Sequence, residues 1–167
     1  MRAHTMSPYS VETIAERLLA RGQWLGTAES CTGGLIAKTL TDLAGSSAWF
    51  ERGIVTYSNL AKQQLLGVPE ALLDRYGAVS EQVAGAMAEG LLRQAPVDWS
   101  IAVTGIAGPG GGSTEKPVGT VWVAWAQRGR EAQAQAQHFL FRGDRAAVRQ
   151  QTLDAALSGL IGRLLDA

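Results

Sequence analysis

Gly26-Thr27-Ala28-Glu29-Ser30-Cys31-Thr32-Gly33-Gly34 stands where an apolar run stops at a small polar turn and a helical pattern begins. The stretch reads as a strand, a turn and a helix starting near Thr32, with Ser30 presented at the junction. A helix starting there leaves its first backbone N–H groups free, and Gly33 and Gly34 let a ligand or a second backbone come close. Two readings are open at this point. Either Ser30 or Thr32 simply caps the helix, or the turn is an anion or oxyanion site centred on Ser30.

Working outward, Val11, Ile14 and Leu18 recur at helical spacing between Ser10 and Arg21, with Glu12 in the first turn and Gly22 past the end. Trp24 to Ala28 forms the first strand. Leu35, Ile36, Leu40 and Leu43 continue the helix after the glycines until Ala44-Gly45-Ser46-Ser47 breaks it, and Phe50 to Tyr57 is the second strand. Asn59 is read as the N-cap of a short helix holding Lys62, Leu65 and Leu66, ended by Gly67-Val68-Pro69 before another helical piece to Tyr76. Ser80 caps the next helix, and Trp99 to Thr104 is the third strand. Gly119 to Ala126 is apolar on both alternating faces, as a strand covered on both sides must be. Ala132 to Phe141 is placed nearer an edge, and Asp144 caps a long last helix with Val148, Leu153, Leu157, Leu160 and Leu164 in phase. Helices interleave with strands, and the last two strands are close enough for a hairpin. The fold class is therefore α/β, a three-layer α/β/α sandwich with one mixed β-sheet. Residues 1–9 are expected to be disordered and residues 10–167 to form a single domain.

A chain of 167 residues can bury a core of its own, so neither a disulfide nor a metal is required to hold it. Its 15 basic residues balance 15 acidic ones, which argues against a polyanion-coating protein; no nucleic-acid partner is expected and charge recognition must be local. One cysteine, no leader pattern and no span of 18 apolar residues point to a cytoplasmic protein without a membrane partner.

Chemistry is narrowed by what is scarce. Of the two histidines, His4 lies in the expected disordered start and His138 falls in phase with Ala134 and Ala136 on a strand, so neither suits a Ser-His pair. No His/Cys/Asp/Glu group has ligand spacing, and the site is expected to be free of metal and cofactor. A serine nucleophile must then be served by a lysine, which works as a base only where burial or a nearby cation keeps it neutral. There are three, Lys38, Lys62 and Lys116. Lys38 sits too far along the helix after Ser30, whereas Lys62 follows the adjacent strand and can reach it. The run from Gly105 through Gly108 and Gly110 to Pro117 fits no common phosphate motif, because the next element is a strand, yet such a loop can offer N–H groups to a phosphate. Thr104 before it is either a hydroxyl aimed into the site or a strand-end threonine, and Arg145, opening the last helix, is either a bidentate phosphate partner or a surface arginine.

Ala28-Glu29-Ser30-Cys31-Thr32-Gly33-Gly34, Gly45-Ser46-Ser47-Ala48-Trp49-Phe50, Val55-Thr56-Tyr57-Ser58-Asn59 with Lys62, Thr104-Gly105-Ile106-Ala107-Gly108-Pro109 and Lys116-Pro117-Val118-Gly119-Thr120-Val121 together resemble the C-terminal domain family of the competence/damage-inducible protein CinA. The resemblance runs from about Val11 to Leu164. Members include stand-alone nicotinamide-nucleotide amidases, and the absence of CinA's larger N-terminal domain fits that form. The resemblance implies hydrolysis of nicotinamide mononucleotide to nicotinate mononucleotide and ammonia in pyridine nucleotide salvage. It makes Ser30 the nucleophile, Lys62 the base, and Tyr57 and Thr104 orienting or relaying hydroxyls. Cys31, Thr32 and Gly33 would supply backbone donors to the substrate, while Gly105, Gly108, Gly110 and Arg145 would hold the phosphate. A catalytically silent nucleotide-binding module is the alternative. A homodimer is expected, with the strand carrying Trp122 and Trp125 as a contact.

Overall fold

The structure, a computed structural model, describes residues 8–129 and 134–167. Its elements run α1 (Pro8–Arg21), β1 (Leu25–Glu29), α2 (Leu35–Thr41), a 3₁₀ turn (Ser46–Ala48), β2 (Phe50–Val55), α3 (Asn59–Leu66), α4 (Glu70–Tyr76), α5 (Glu81–Gln94), β3 (Trp99–Gly105), β4 (Thr120–Gln127), β5 (Gln135–Leu140) and α6 (Arg145–Asp166). Residues 1–7 of the expected disordered start lie outside the described residues, and α1 begins at Pro8.

The five strands form one mixed sheet in the order β2-β1-β3-β4-β5. β1 runs parallel to both β2 and β3, while β4 is antiparallel to β3 and to β5. Side chains alternate across a sheet, so each strand serves two cores. Leu25, Trp99, Ile101, Val103, Val121, Val123 and Trp125 pack with α1, α2 and α6; Ala28, Ala102, Ala124 and Ala126 pack with α3, α4 and α5. The result is the expected three-layer α/β/α sandwich. The two faces differ in kind. Large side chains fill the first, whereas small ones on the second let α5 come close, near enough for the Ser100 hydroxyl to donate to the Ala88 carbonyl at 2.8 Å.

Close approach extends outward from α5. A Cβ added at Gly90 would lie 2.0 Å from the Leu66 carbonyl oxygen, so this glycine is what lets the end of α3 rest on α5. The seat of α3 matters because α3 carries Lys62.

Consecutive connections leave the parallel strands on opposite faces, β1 into α2 and β2 into α3. That geometry opens a crevice at the carboxyl ends of β1 and β2, where open α/β sheets bind ligands.

Three local expectations change. α2 starts at Leu35 rather than near Thr32, because Thr32, Gly33 and Gly34 form a turn with Gly34 in the left-handed region at φ 100°. α3 is capped by Ser58, whose hydroxyl oxygen accepts from the Ala61 N–H at 3.0 Å, and Asn59 is its first residue rather than its cap. Trp125 is no contact surface, since α6 covers it: its Nε1 donates to the Ala156 carbonyl at 2.9 Å and the Arg163 guanidinium lies over its ring. Gly90→Ala is expected to lower the unfolding free energy by about 1–3 kcal/mol through overpacking against Leu66, as read by denaturant unfolding.

Candidate active site

Strand alternation decides where the residues of the opening stretch go. Glu29 ends β1 on the α2 side, and Ser30, next along, turns toward α3. Backbone bonds lock the junction on both sides: the Ser30 N–H donates to the Val103 carbonyl at 3.1 Å, and the Thr56 N–H donates to the Glu29 carbonyl at 2.8 Å.

Lys62 comes from the other wall. It stands near the start of α3 with 2% of its surface exposed, and its Nζ lies 3.0 Å from Ser30 Oγ. The same nitrogen contacts the carbonyl oxygens of Thr56 at 3.0 Å and Tyr57 at 3.4 Å. A neutral amine has two N–H donors and one lone pair. The arrangement accommodates both protonation states: an ammonium donates to Ser30 Oγ and to both carbonyls while the Ser30 hydroxyl donates to the Tyr57 carbonyl at 3.5 Å, and a neutral amine donates to the two carbonyls and keeps its lone pair for the Ser30 hydroxyl. Burial pushes the Lys62 ammonium below the ordinary lysine range, and neither of the two ion pairs among the described residues includes it. The other lysines are engaged elsewhere, Lys38 with Asp42 at 2.7 Å and Lys116 with the Tyr76 carbonyl at 2.6 Å.

These groups open into a cavity of about 280 Å³. Of the residues singled out in the sequence, Ser30, Cys31, Tyr57, Lys62, Thr104, Gly105, Gly108, Gly110 and Arg145 line it. Thr32 and Gly33 do not. Thr32 is fully buried behind the wall, and the Gly33 N–H donates to the Ser30 carbonyl at 3.1 Å. His138 is exposed on β5 against Trp122 and takes no part.

The two hydroxyl groups have different partners. Thr104 donates its proton to the Ala78 carbonyl at 2.9 Å, which leaves its oxygen lone pairs as acceptors. The Tyr57 hydroxyl reaches away from Lys62 and accepts from Arg145 at 2.9 Å; only the Tyr57 backbone carbonyl meets the amine. Arg145 also donates to the Gly108 carbonyl at 2.8 Å, spanning the cavity mouth with guanidinium donors to spare. The Cys31 thiol is pushed up to about 11 by burial, so it stays protonated at neutral pH and is a poor nucleophile.

Glu29 is the residue that sequence reasoning quoted and left without a role. Its carboxylate accepts from the Thr32 hydroxyl at 2.7 Å and from the backbone N–H groups of Ile36 at 2.8 Å and Ala37 at 3.0 Å. It therefore caps α2 from six residues before the helix, outside the spacing of any local capping motif. Neither Ser30 nor Thr32 caps α2, and the free donors expected at its start are occupied. The N–H groups of Cys31 and Thr32 have no acceptor in another described residue, and of these two residues Cys31 lines the cavity. Ala78, Val79, Ile106 and Ala107 add an apolar wall that no sequence motif signalled.

The sequence model of the CinA C-terminal domain matches residues 9–164. A protein named nicotinamide-nucleotide amidohydrolase PncC from Enterobacter agglomerans is 61% identical over 143 residues, 85% of each chain. The protein of that name from Escherichia coli K12 is 54% identical over 149 residues, 89% of each chain. A CinA-like protein from Geobacter sulfurreducens is 54% identical over 159 residues, which cover 95% of this chain and 38% of that one. Among solved structures, a CinA superfamily protein from Klebsiella pneumoniae matches with a TM-score of 0.91 at 39% identity, covering 98% of this chain and all of the other. With a match that spans nearly every element and the whole cavity, the chain belongs to the CinA C-terminal domain family.

Proposed function

We propose that this chain hydrolyses the carboxamide of nicotinamide mononucleotide to nicotinate mononucleotide and ammonia, with Ser30 as nucleophile and Lys62 as general base. The observation that carries the reading is the 3.0 Å contact between Ser30 Oγ and a buried amine. The names of the relatives that share most of their length with this chain supply the substrate class.

Neutral Lys62 takes the Ser30 proton as Oγ attacks the amide carbon, and the negative charge moves to the former carbonyl oxygen. The Cys31 N–H, bordering the cavity beside Ser30 without an acceptor in another described residue, is our candidate donor to that oxyanion. Protonated Lys62 then gives its proton to the amide nitrogen, the C–N bond breaks, ammonia leaves, and a nicotinoyl ester remains on Ser30. Water attacks the ester while Lys62 accepts its proton. The ester bond breaks, Ser30 Oγ takes the proton back from Lys62, and the carboxylate product leaves.

Thr104 gives the site a preference for amide over acid. Its proton is committed to Ala78, so it meets the substrate only as an acceptor, which suits a carboxamide NH₂ and repels the product carboxylate. The apolar wall of Val79, Ile106 and Ala107 suits the face of a pyridine ring, and the spare donors of Arg145 suit the phosphate at the mouth. A role in pyridine nucleotide salvage follows from the substrate.

Ammonia release from nicotinamide mononucleotide tests the reading. The wild type is expected to turn over, Ser30→Ala to lose at least about a thousandfold, and Cys31→Ala to keep the larger part of its rate; binding without turnover by the wild type would support a silent nucleotide-binding module instead. Lys62 ties activity to stability. An unfolded lysine ionises near pH 10.4, whereas the folded chain resists that charge, so its burial costs stability that grows as pH falls below about 10.4 and levels off below the lowered folded-state value. Lys62→Met is expected to abolish turnover yet raise the melting temperature at neutral pH by about 2–4 °C, with the gap shrinking as pH rises toward 10.4. Thr104→Val is expected to cut kcat/KM by about five- to tenfold, the worth of one hydrogen bond, and to strengthen inhibition by the acid product.

A further inference from the structure

The turn that follows the nucleophile is intrinsically soft. Gly33 and Gly34 both sit at positive φ, 59° and 100°, and glycine backbones hold a conformation only when something outside holds it for them. Two opposite charges converge on the residue between Cys31 and those glycines. Glu29, 1% exposed, accepts from the Thr32 hydroxyl at 2.7 Å. Arg149, reaching in from α6, donates through a terminal nitrogen to the Thr32 carbonyl at 3.0 Å. The two charges form no ion pair with each other. They are joined through Thr32 instead, one on its side chain and one on its backbone. Arg149 keeps this contact although its Nε is buried without an acceptor, a destabilising arrangement that an arginine free to relax into solvent would escape.

We infer that Glu29 and Arg149 are positioning residues that clamp Thr32 from both sides, and so fix the Ser30 hydroxyl against Lys62 and the Cys31–Thr32 peptide behind it. Neither residue is among those lining the cavity. Thr32 itself changes role, from an expected substrate contact to the anchor of the nucleophile's turn. The inference rests on the Ser30 mechanism proposed above.

The test measures steady-state turnover of nicotinamide mononucleotide beside the rate at which a fluorophosphonate labels Ser30, read by mass spectrometry, in wild type, Arg149→Met, Arg149→Lys, Glu29→Gln and the Glu29→Gln/Arg149→Met double variant. Thermal melts confirm folding. Because Glu29→Gln also removes a helix cap, the Arg149 variants carry the result. In Arg149→Met, kcat and the labelling rate are expected to fall together by about a hundredfold, the cost of a small misplacement of reacting groups, while KM changes little. Arg149→Lys is expected to recover part of the loss, since an ammonium can still donate to the Thr32 carbonyl. The double variant is expected to lose no more than its worse single, because both residues act through Thr32. A folded Arg149→Met with wild-type kcat and labelling overturns the inference, as does a loss confined to KM. If the wild type is labelled at Ser30 but releases no ammonia from the mononucleotide, the proposed substrate fails and the labelling rates alone judge the clamp. If the wild type shows neither, both readings are overturned.

Discussion

The contact on which the site depends is a hydrogen bond between a serine hydroxyl and an amine that has been taken out of water. Lys62 Nζ has Ser30 Oγ and two carbonyl oxygens around it, and among the described residues no carboxylate pairs with it. Carbonyls satisfy the two N–H donors of a neutral amine, but they cannot offset the loss of hydration that a full positive charge would suffer. Desolvation therefore pushes Lys62 toward the base form. A carboxylate in the same place would favour the charged form, whereas Glu29, one residue before Ser30, has its carboxylate on the α2 face of the sheet.

Alternation along β1 does this with one residue of separation. Glu29 and Ser30 are neighbours in sequence, yet a strand sends them to opposite faces, the first under α2 and the second toward α3. The two cores suit that division. On the α5 face, Ala28, Ser100, Ala102 and Ala124 keep the sheet low enough for the helical layer to approach closely, and Gly90 seats α3 so that its lysine points over the end of β1. On the opposite face, bulkier residues hold α6 against the sheet, and α6 delivers Arg145 to the cavity mouth and Arg149, one turn on, to the back of the turn. Fold and site are thus set by the same alternation of large and small side chains.

Much of this was legible from residues close in sequence. The periodicities placed every strand and helix in order, Ser80 and Asp144 behaved as the caps their spacing announced, and the scarcity of histidine and lysine led to Lys62. What could not be read were contacts between residues far apart in the chain, or between a side chain and a backbone it does not adjoin. Asn59 had the right chemistry for a cap, but Ser58, one residue earlier, took the position, since either fits the local pattern. The Tyr57 phenol, expected beside Lys62, is drawn to Arg145, 88 residues away. Arg149 offered no signal at all, because its partner is a carbonyl 117 residues distant.

Glu29 changes the reading of the strand-turn-helix junction most. A helix that follows a nucleophile ordinarily offers its unsatisfied N–H groups and its positive dipole end to a developing oxyanion. Here the Ile36 and Ala37 N–H groups and that dipole end already face a buried carboxylate. The helix cannot serve two anions with the same donors, and a second negative charge beside Glu29 would be repelled rather than stabilised. On the proposed mechanism an oxyanion would be met by backbone outside the helix, and the Cys31 N–H borders the cavity without an acceptor in another described residue. The Cys31 thiol is held protonated by burial. The junction is therefore an anion site turned inside out, with the helix start occupied by the chain's own carboxylate rather than by an external anion.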